Sequence, residues 1–201
     1  NRVDVYEELK RHPLDDEWHR RRSADLSQVT VPLLTCANWG GQGIHPRGNF
    51  NGFTETPSKQ KWLEAHGDSH WSLFYSAYGF ALQKRFFDHF LKGMANGWEK
   101  QPRVQLNIRH PGEKFERRME HEWPLARTRW TKFYLDPARM ALAPEPVRSA
   151  GAVEYAASGK GVTFWMPPLR EATEITGPVA AKLFVSSSTQ DADLFLIVRV
   201  F

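Results

Sequence analysis

Apolar positions follow two regimes along the chain. Val29-Thr-Val-Pro-Leu-Leu-Thr-Cys36 places valine and leucine on both faces, as a short strand of a buried parallel sheet requires. Pro32 belongs among its first residues, where a missing donor is tolerated. Trp62-Leu-Glu-Ala-His66 reads as a second short strand, with His66-Gly-Asp-Ser-His-Trp71 as the loop at its C-terminal end. The segment between them, Ala37 to Phe53, holds glycines at 40, 41, 43, 48 and 52 and predicts one long loop. From Ala77 to Lys92 the period changes to that of a helix. Leu82, Phe86 and Phe90 recur every fourth residue, and Phe87 and Leu91 widen the stripe. Phe86, Phe87 and Phe90 are expected in the core. Asp88 and Lys92 form an acid-first i,i+4 pair, and Gly93 sits where a left-handed C-cap belongs.

The ends of the chain differ from this middle. Residues 1–24 are charged, with Val3, Val5, Tyr6 and Leu9 as an apolar minority. Asp15 or Asp16 predicts an N-cap and Glu17 suits the first turn of the helix that follows. Beyond Asn96-Gly97, short apolar runs alternate with turns: Val104–Arg109, Thr131–Leu135, Val162–Met166 and Ala180–Ser186, punctuated by Pro111-Gly112, Asp136-Pro137 and Pro167-Pro168. The final run, Leu194 to Phe201, also reads as a buried strand. The pattern therefore predicts an α/β part over residues 1–98 and an all-β sandwich or jelly roll over residues 99–201, cut inside its last strand. We expect the chain to be an internal piece of a longer protein.

Composition narrows the function classes. The chain has 201 residues, 41% hydrophobic and 25% charged, with a formal net charge of +4, ordinary for a folded domain. The basic residues are scattered among acids. Arg20, Arg21 and Arg22 directly follow Asp15, Asp16 and Glu17, which describes a solvated helix face better than a nucleic-acid patch. A lone cysteine, Cys36, excludes an internal disulfide framework and a cysteine zinc site; a small buried residue is the expectation. No apolar stretch reaches membrane-spanning length, and the N-terminus carries no basic-then-apolar signal pattern. The default is a cytoplasmic protein binding neither nucleic acid nor membrane.

In open α/β sheets, catalytic groups gather at the carboxyl ends of strands. Two such ends are visible, the glycine-rich loop after Cys36 and the histidine loop after Glu64. His70, just past a strand, is placed as a general base would be, or as a surface or packing histidine. His66, Asp68 and His70 have the residue types of a metal site but no diagnostic spacing, and no metal or cofactor is predicted. Asn38-Trp-Gly-Gly-Gln-Gly43 lacks the lysine of a phosphate loop. Trp71, Phe74, Tyr75 and Tyr78 could line a pocket or serve as ordinary core and rim aromatics.

Several segments together resemble the CocE/NonD hydrolase family, which includes X-prolyl dipeptidyl aminopeptidases, cocaine esterase and α-amino-acid ester hydrolases. They are His12-Pro-Leu-Asp-Asp16, Arg20-Arg-Arg-Ser23, Val31-Pro-Leu-Leu34 with Trp39, Leu63 with His70, and Gln83-Lys-Arg-Phe-Phe-Asp-His-Phe-Leu-Lys-Gly93. Arg129 to Leu135, Thr176-Gly-Pro-Val179, Val185-Ser-Ser-Ser188 and Asp191-Ala-Asp193 resemble that family's C-terminal jelly roll. The resemblance implies an α/β-hydrolase with a Ser–acid–His triad and a β-sandwich behind it. Residues 1–24 would be the tail of a cap. His70 matches the family's general base by loop position. Two departures stand out. The nucleophile elbow G-x-S-x-G is absent and would lie upstream. The family's acid falls at Gly41, which cannot orient an imidazole, and neither Asp68 nor Glu55 has a case to replace it.

The leading expectation is thus a piece of a serine hydrolase acting on a small ester or peptide, inactive by itself, in a protein that could form a homo-oligomer. A degenerate, non-catalytic homologue is the second reading. A carbohydrate-binding β-sandwich using Trp123, Trp130 and Trp165 is the third, against inter-sheet core for the same tryptophans.

Overall fold

The computed structural model describes residues 3–40 and 45–200, and only the backbone of His70. Two short helices open the chain, α1 (Val5–Arg11) and α2 (Glu17–Arg20). Asp16 caps α2, its carboxylate accepting from the amides of Trp18 and His19, and Glu17 lies in the first turn. The Arg20–Arg22 run is a solvated face: Arg21 Nε lies 2.8 Å from Glu17, and the Arg22 guanidinium covers Trp18 at 3.9 Å.

Strand β1 (Leu33–Asn38) starts directly after Pro32. It is followed by α3 (Pro46–Glu55), β2 (Lys61–His66), α4 (His70–Phe74), α5 (Ala77–Lys92), β3 (Val104–His110) and β4 (Lys114–Glu120). They form one four-stranded sheet in the order β1-β2-β3-β4, with β1, β2 and β3 parallel and β4 antiparallel at the edge. The architecture is mixed α/β. Alternation sends Leu34, Cys36 and Trp62 to one face, where they pack with Leu82, Phe86 and Trp98. The indoles of Trp62 and Trp98 meet edge to face at 5.3 Å. Thr35 points to the other face, where its hydroxyl donates to the Asn49 carbonyl of α3 at 3.2 Å.

The predicted long loop over 37–53 is half wrong, because Pro46 to Glu55 is helical. Pro46 is preset for a first helical position, and Phe53 is buried. Together they outweigh Gly48 and Gly52, which had read as loop. Helix α5 matches its predicted bounds, and Gly93 takes the left-handed conformation at φ 65°. Phe87 is a correction. It is 50% exposed, because the buried stripe runs through Gly79, Leu82 and Phe86 and turns Phe87 outward.

Contacts divide the chain into two compact units, Asn1–Trp123 with Val185–Phe201, and Pro124–Phe184. In the second, β5 (Tyr134–Asp136) and β6 (Ala141–Ala143) form a hairpin. Strand formation there and in the C-terminal segment falls short of expectation. Thr131–Leu135 contributes only its end, Val162–Met166 a single bridge from Trp165 to Ala141, and Ala180–Ser186 and Leu194–Val200 no strand. Side-chain alternation supplies propensity, but a strand exists only when another backbone pairs with it. No described residue does so, and Phe184 and Phe195 stay 92% and 88% exposed.

Candidate functional site

The carboxyl halves of β1 and β2 carry the buried polar residues Asn38, Glu64 and His66. The register sets Cys36 beside Glu64 and Asn38 beside His66, and Glu64 beside Gln105 of β3. In a parallel ladder these neighbours share a face, here the one under α5. Asn38 and Glu64 are each 1% exposed and His66 3%. Such burial of polar groups demands partners. His66 Nδ1 lies 2.9 Å from Glu64 Oε2, while His66 Nε2 and Asn38 Oδ1 are buried with no hydrogen-bond partner among the described residues.

Burial pushes the Glu64 carboxyl above its ordinary range, against the opposing pull of the His66 hydrogen bond and the Arg117 charge. Burial, and then the Glu64 charge, push the Cys36 thiol up to about 12. Cys36 is therefore a packed, unreactive thiol. Tyr78 rises to about 12 for the same two leading reasons. Its hydroxyl reaches Gln105 Oε1 at 3.4 Å, and the Arg117 guanidinium lies 3.9 Å from its ring centre.

Above this face the loop between β2 and α4 is clamped. The Asn38 side-chain amide donates to the Asp68 carbonyl, and the Trp39 amide donates to the His66 carbonyl at 2.9 Å. Asp68 has φ 62°, a conformation aspartate accepts more readily than most residues. The contact is tight: a Cβ on Gly40 would sit 2.2 Å from the Asp68 oxygen. Trp39 is fixed in turn by donating Nε1 to the Asn107 carbonyl at 2.7 Å. It also stacks on Phe50, which stacks on Trp123 with centroids 4.6 Å apart.

His70 opens α4 four residues beyond the end of β2, so its backbone is delivered by this clamped turn. Its side chain, and Gly41, lie outside the described residues. His66 and Asp68 are where the metal reading put them, but His66 is committed to Glu64. Among the described residues, no three metal-ligating side chains cluster. Trp71, Phe74 and Tyr75 are exposed. Tyr78 instead lines a cleft of about 280 Å³ with Leu82, Gln105 and Arg117. Trp123 is buried, against helix α3 rather than between two sheets, whereas Trp130 and Trp165 are 69% and 58% exposed; the inter-sheet expectation fails for all three. Sequence reasoning missed the Glu64–His66 pair. Its signal was an acid and a histidine two apart on the inward face of a buried strand.

A family model for the X-Pro dipeptidyl-peptidase C-terminal non-catalytic domain matches residues 96–201. Two crystal structures of a CocE/NonD family hydrolase from Staphylococcus aureus are similar to the chain, each at 35% identity with a TM-score of 0.73. Each similarity covers 79% of this chain, and 29% or 28% of the solved chain. The chain thus spans less than a third of those relatives' length. No curated protein matches it. A mixed α/β framework bearing a family-specific C-terminal segment is the class these findings define. The chain belongs to the CocE/NonD hydrolase family, and residues 96–201 are its X-Pro dipeptidyl-peptidase C-terminal, non-catalytic domain. Among the described residues no helix is long and apolar enough to cross a membrane.

Proposed function

We propose that the full-length protein carrying this chain hydrolyses an ester or an amide, of the X-Pro dipeptide or acyl-ester type, through a serine acyl-enzyme. The serine lies outside this chain. In the first step its hydroxyl oxygen attacks the carbonyl carbon, and the proton passes to a histidine that later hands it to the leaving group. Water then cleaves the acyl-enzyme by the same proton path. His70 is the general base in this reading. The observation that carries it is the clamped turn at the carboxyl edge of two parallel strands, which brings His70 to the start of α4, where α/β enzymes hold their reacting groups.

Residues 1–98 would then be the end of an α/β-hydrolase domain, with a cap tail at 1–24, and residues 99–201 part of a jelly roll that stiffens it. A cytoplasmic location and a possible self-association of the full-length protein belong to the same reading, and it requires no cofactor. The test is His70→Ala in the full-length protein with an activated ester. Hydrolysis should fall by at least about 10³-fold with folding intact. Unchanged turnover would remove His70 from the mechanism. A wild-type protein inert toward activated esters and X-Pro amides would favour a degenerate homologue.

A further inference from the structure

Between α5 and the β3–β4 half of the sheet lies a cleft that the hydrolytic scheme leaves unused. Tyr78, Leu82 and Arg85 stand at i, i+4 and i+7 on one face of α5. The strands present Gln105, directly opposite Met119 in the ladder, and Arg117, two residues from Met119 and so on the same face. Where the helix face meets the sheet face they line about 280 Å³, toward the small end of ligand sites. Leu82 and Met119 supply apolar surface, and no acidic residue lines the cleft. The Arg117 guanidinium is 3.9 Å from the Tyr78 ring centre. Arg85 donates to Gln101 Oε1 at 3.0 Å. Neither arginine makes an ion pair among the described residues. Glu64 feels the Arg117 charge, but it is buried and does not line the cleft. The Gln105 carbonyl accepts from the Tyr78 hydroxyl at 3.4 Å. Its amide N–H groups have no partner among the described residues, which leaves them as further donors.

We propose that this cleft binds a small organic carboxylate with a compact apolar body, its charge held by Arg85, Arg117 and the Gln105 amide and its body resting on Leu82 and Met119. The site goes beyond the hydrolytic reading and does not depend on it. Charge complementarity sets the sign of the occupant, because two cations line the cleft from different elements and no acid lines it with them. Geometry selects the class. A guanidinium is a planar fork that matches the two oxygens of a carboxylate. Stacking on Tyr78 holds the Arg117 fork in place before the ligand arrives, so less freedom is lost on binding. The apolar surface favours an anion whose body gains by leaving water, over a fully hydrated inorganic anion such as phosphate.

The experiment follows the Met119 methyl group by NMR in full-length protein labelled with ¹³C-methyl methionine, its signal identified by Met119→Leu. Benzoate is the probe. It should move the Met119 signal saturably, with a Kd of about 1 mM or tighter. Benzamide has the same shape without the charge and should bind at least about 10-fold more weakly. Inorganic phosphate should leave the signal in place. Arg85→Gln and Arg117→Gln should each weaken benzoate by about 10-fold or more, as expected for the loss of one hydrogen-bonded charge. Arg117→Lys keeps the charge and loses the fork, and should fall between wild type and Arg117→Gln. Both arginines are exposed, so the urea midpoints of these variants should stay close to wild type. A Met119 signal indifferent to benzoate, equal binding of benzamide or phosphate, or full affinity in both glutamine variants would overturn the proposal. The benzamide comparison needs no substitution and decides even where a variant fails to fold. No arm reads hydrolysis, so failure of the hydrolytic reading leaves this test intact.

Discussion

Gly79→Ala tests whether the candidate site depends on how its short helix is seated. Gly79 lies in the first turn of α5, where its amide donates to the Ser76 cap at 3.1 Å. A Cβ there would meet the Leu73 carbonyl oxygen at 1.9 Å, the Leu73 carbon at 2.8 Å and the Phe74 oxygen at 3.0 Å. Leu73 and Phe74 are the last residues of α4, the helix that His70 begins. The Leu73 oxygen cannot swing aside freely, since it accepts from both the amide and the hydroxyl of Ser76, at 3.1 and 2.8 Å. Relief therefore means moving α4 as a body, by more than 1 Å to bring the closest approach to 3.0 Å. Overpacking of this kind costs about 1–3 kcal/mol. The helix preference for alanine over glycine returns up to about 1 kcal/mol. The expected net loss is about 1–2 kcal/mol, read from the denaturant midpoint at constant slope. A shift of about 1 Å at a proton-transfer group should lower kcat/KM by about 10²-fold on an activated ester. Gly48→Ala in α3 is the control, because nothing lies within 4 Å of its Cβ, and it should stabilise by up to about 1 kcal/mol with activity unchanged. A Gly79→Ala protein with wild-type midpoint and turnover within roughly threefold would refute the seating argument.

Two stability predictions stand apart from the site. Trp98 is fully buried, so Trp98→Ala should cost about 3–5 kcal/mol by chemical denaturation. Trp98→Phe should cost far less, since it also deletes an indole N–H that is buried without a partner among the described residues; equal losses would deny the orphaned donor any weight. Hydrogen bonds and charges from Lys84 and Lys92 hold the Asp88 carboxyl below its usual 3.8. Its stabilisation is therefore complete above 3.8 and lost as pH falls through the lower native value. The difference in urea midpoint between wild type and Asp88→Asn should shrink on acidification below that point, and a gap constant down to the acid transition would contradict the pairing.

Legibility in the sequence tracked how local each determinant is. Helix α5 was readable from end to end because its stripe, its acid–lysine pair and its left-handed glycine all lie within one segment. β1 and β2 were readable because each carries a short apolar run, Leu33-Leu34 and Trp62-Leu63, with apolar side chains on both faces. Helix α3 was hidden, since Gly48 and Gly52 mimic a loop and the burial of Phe53 is a tertiary property. The runs at 180–186 and 194–200 carry strand propensity, but pairing is a property of two segments and no sequence window contains both. The site divides the same way. The position of residue 70 just past the end of a strand was legible. Its clamp was not, because the Asn38-to-Asp68 bond spans thirty residues and the crowding at Gly40 is defined by another loop's carbonyl.

The departures from best packing in this domain are concentrated at one sheet edge. Glu64 and His66 occupy inward positions where Trp62, on the same strand and face, shows that a large apolar side chain fits. Asn38 spends its amide on a backbone oxygen and leaves its own oxygen orphaned. Asp68 takes a left-handed conformation that a neighbouring glycine must make room for. Each feature costs stability, and none improves the apolar core beneath α5. A fold selected for stability alone would continue the Leu34–Trp62 pattern to the ends of β1 and β2. The change from an aromatic core to polar groups at the carboxyl ends of β1 and β2 fits the hydrolytic role proposed above, because open α/β sheets hold their reacting groups there.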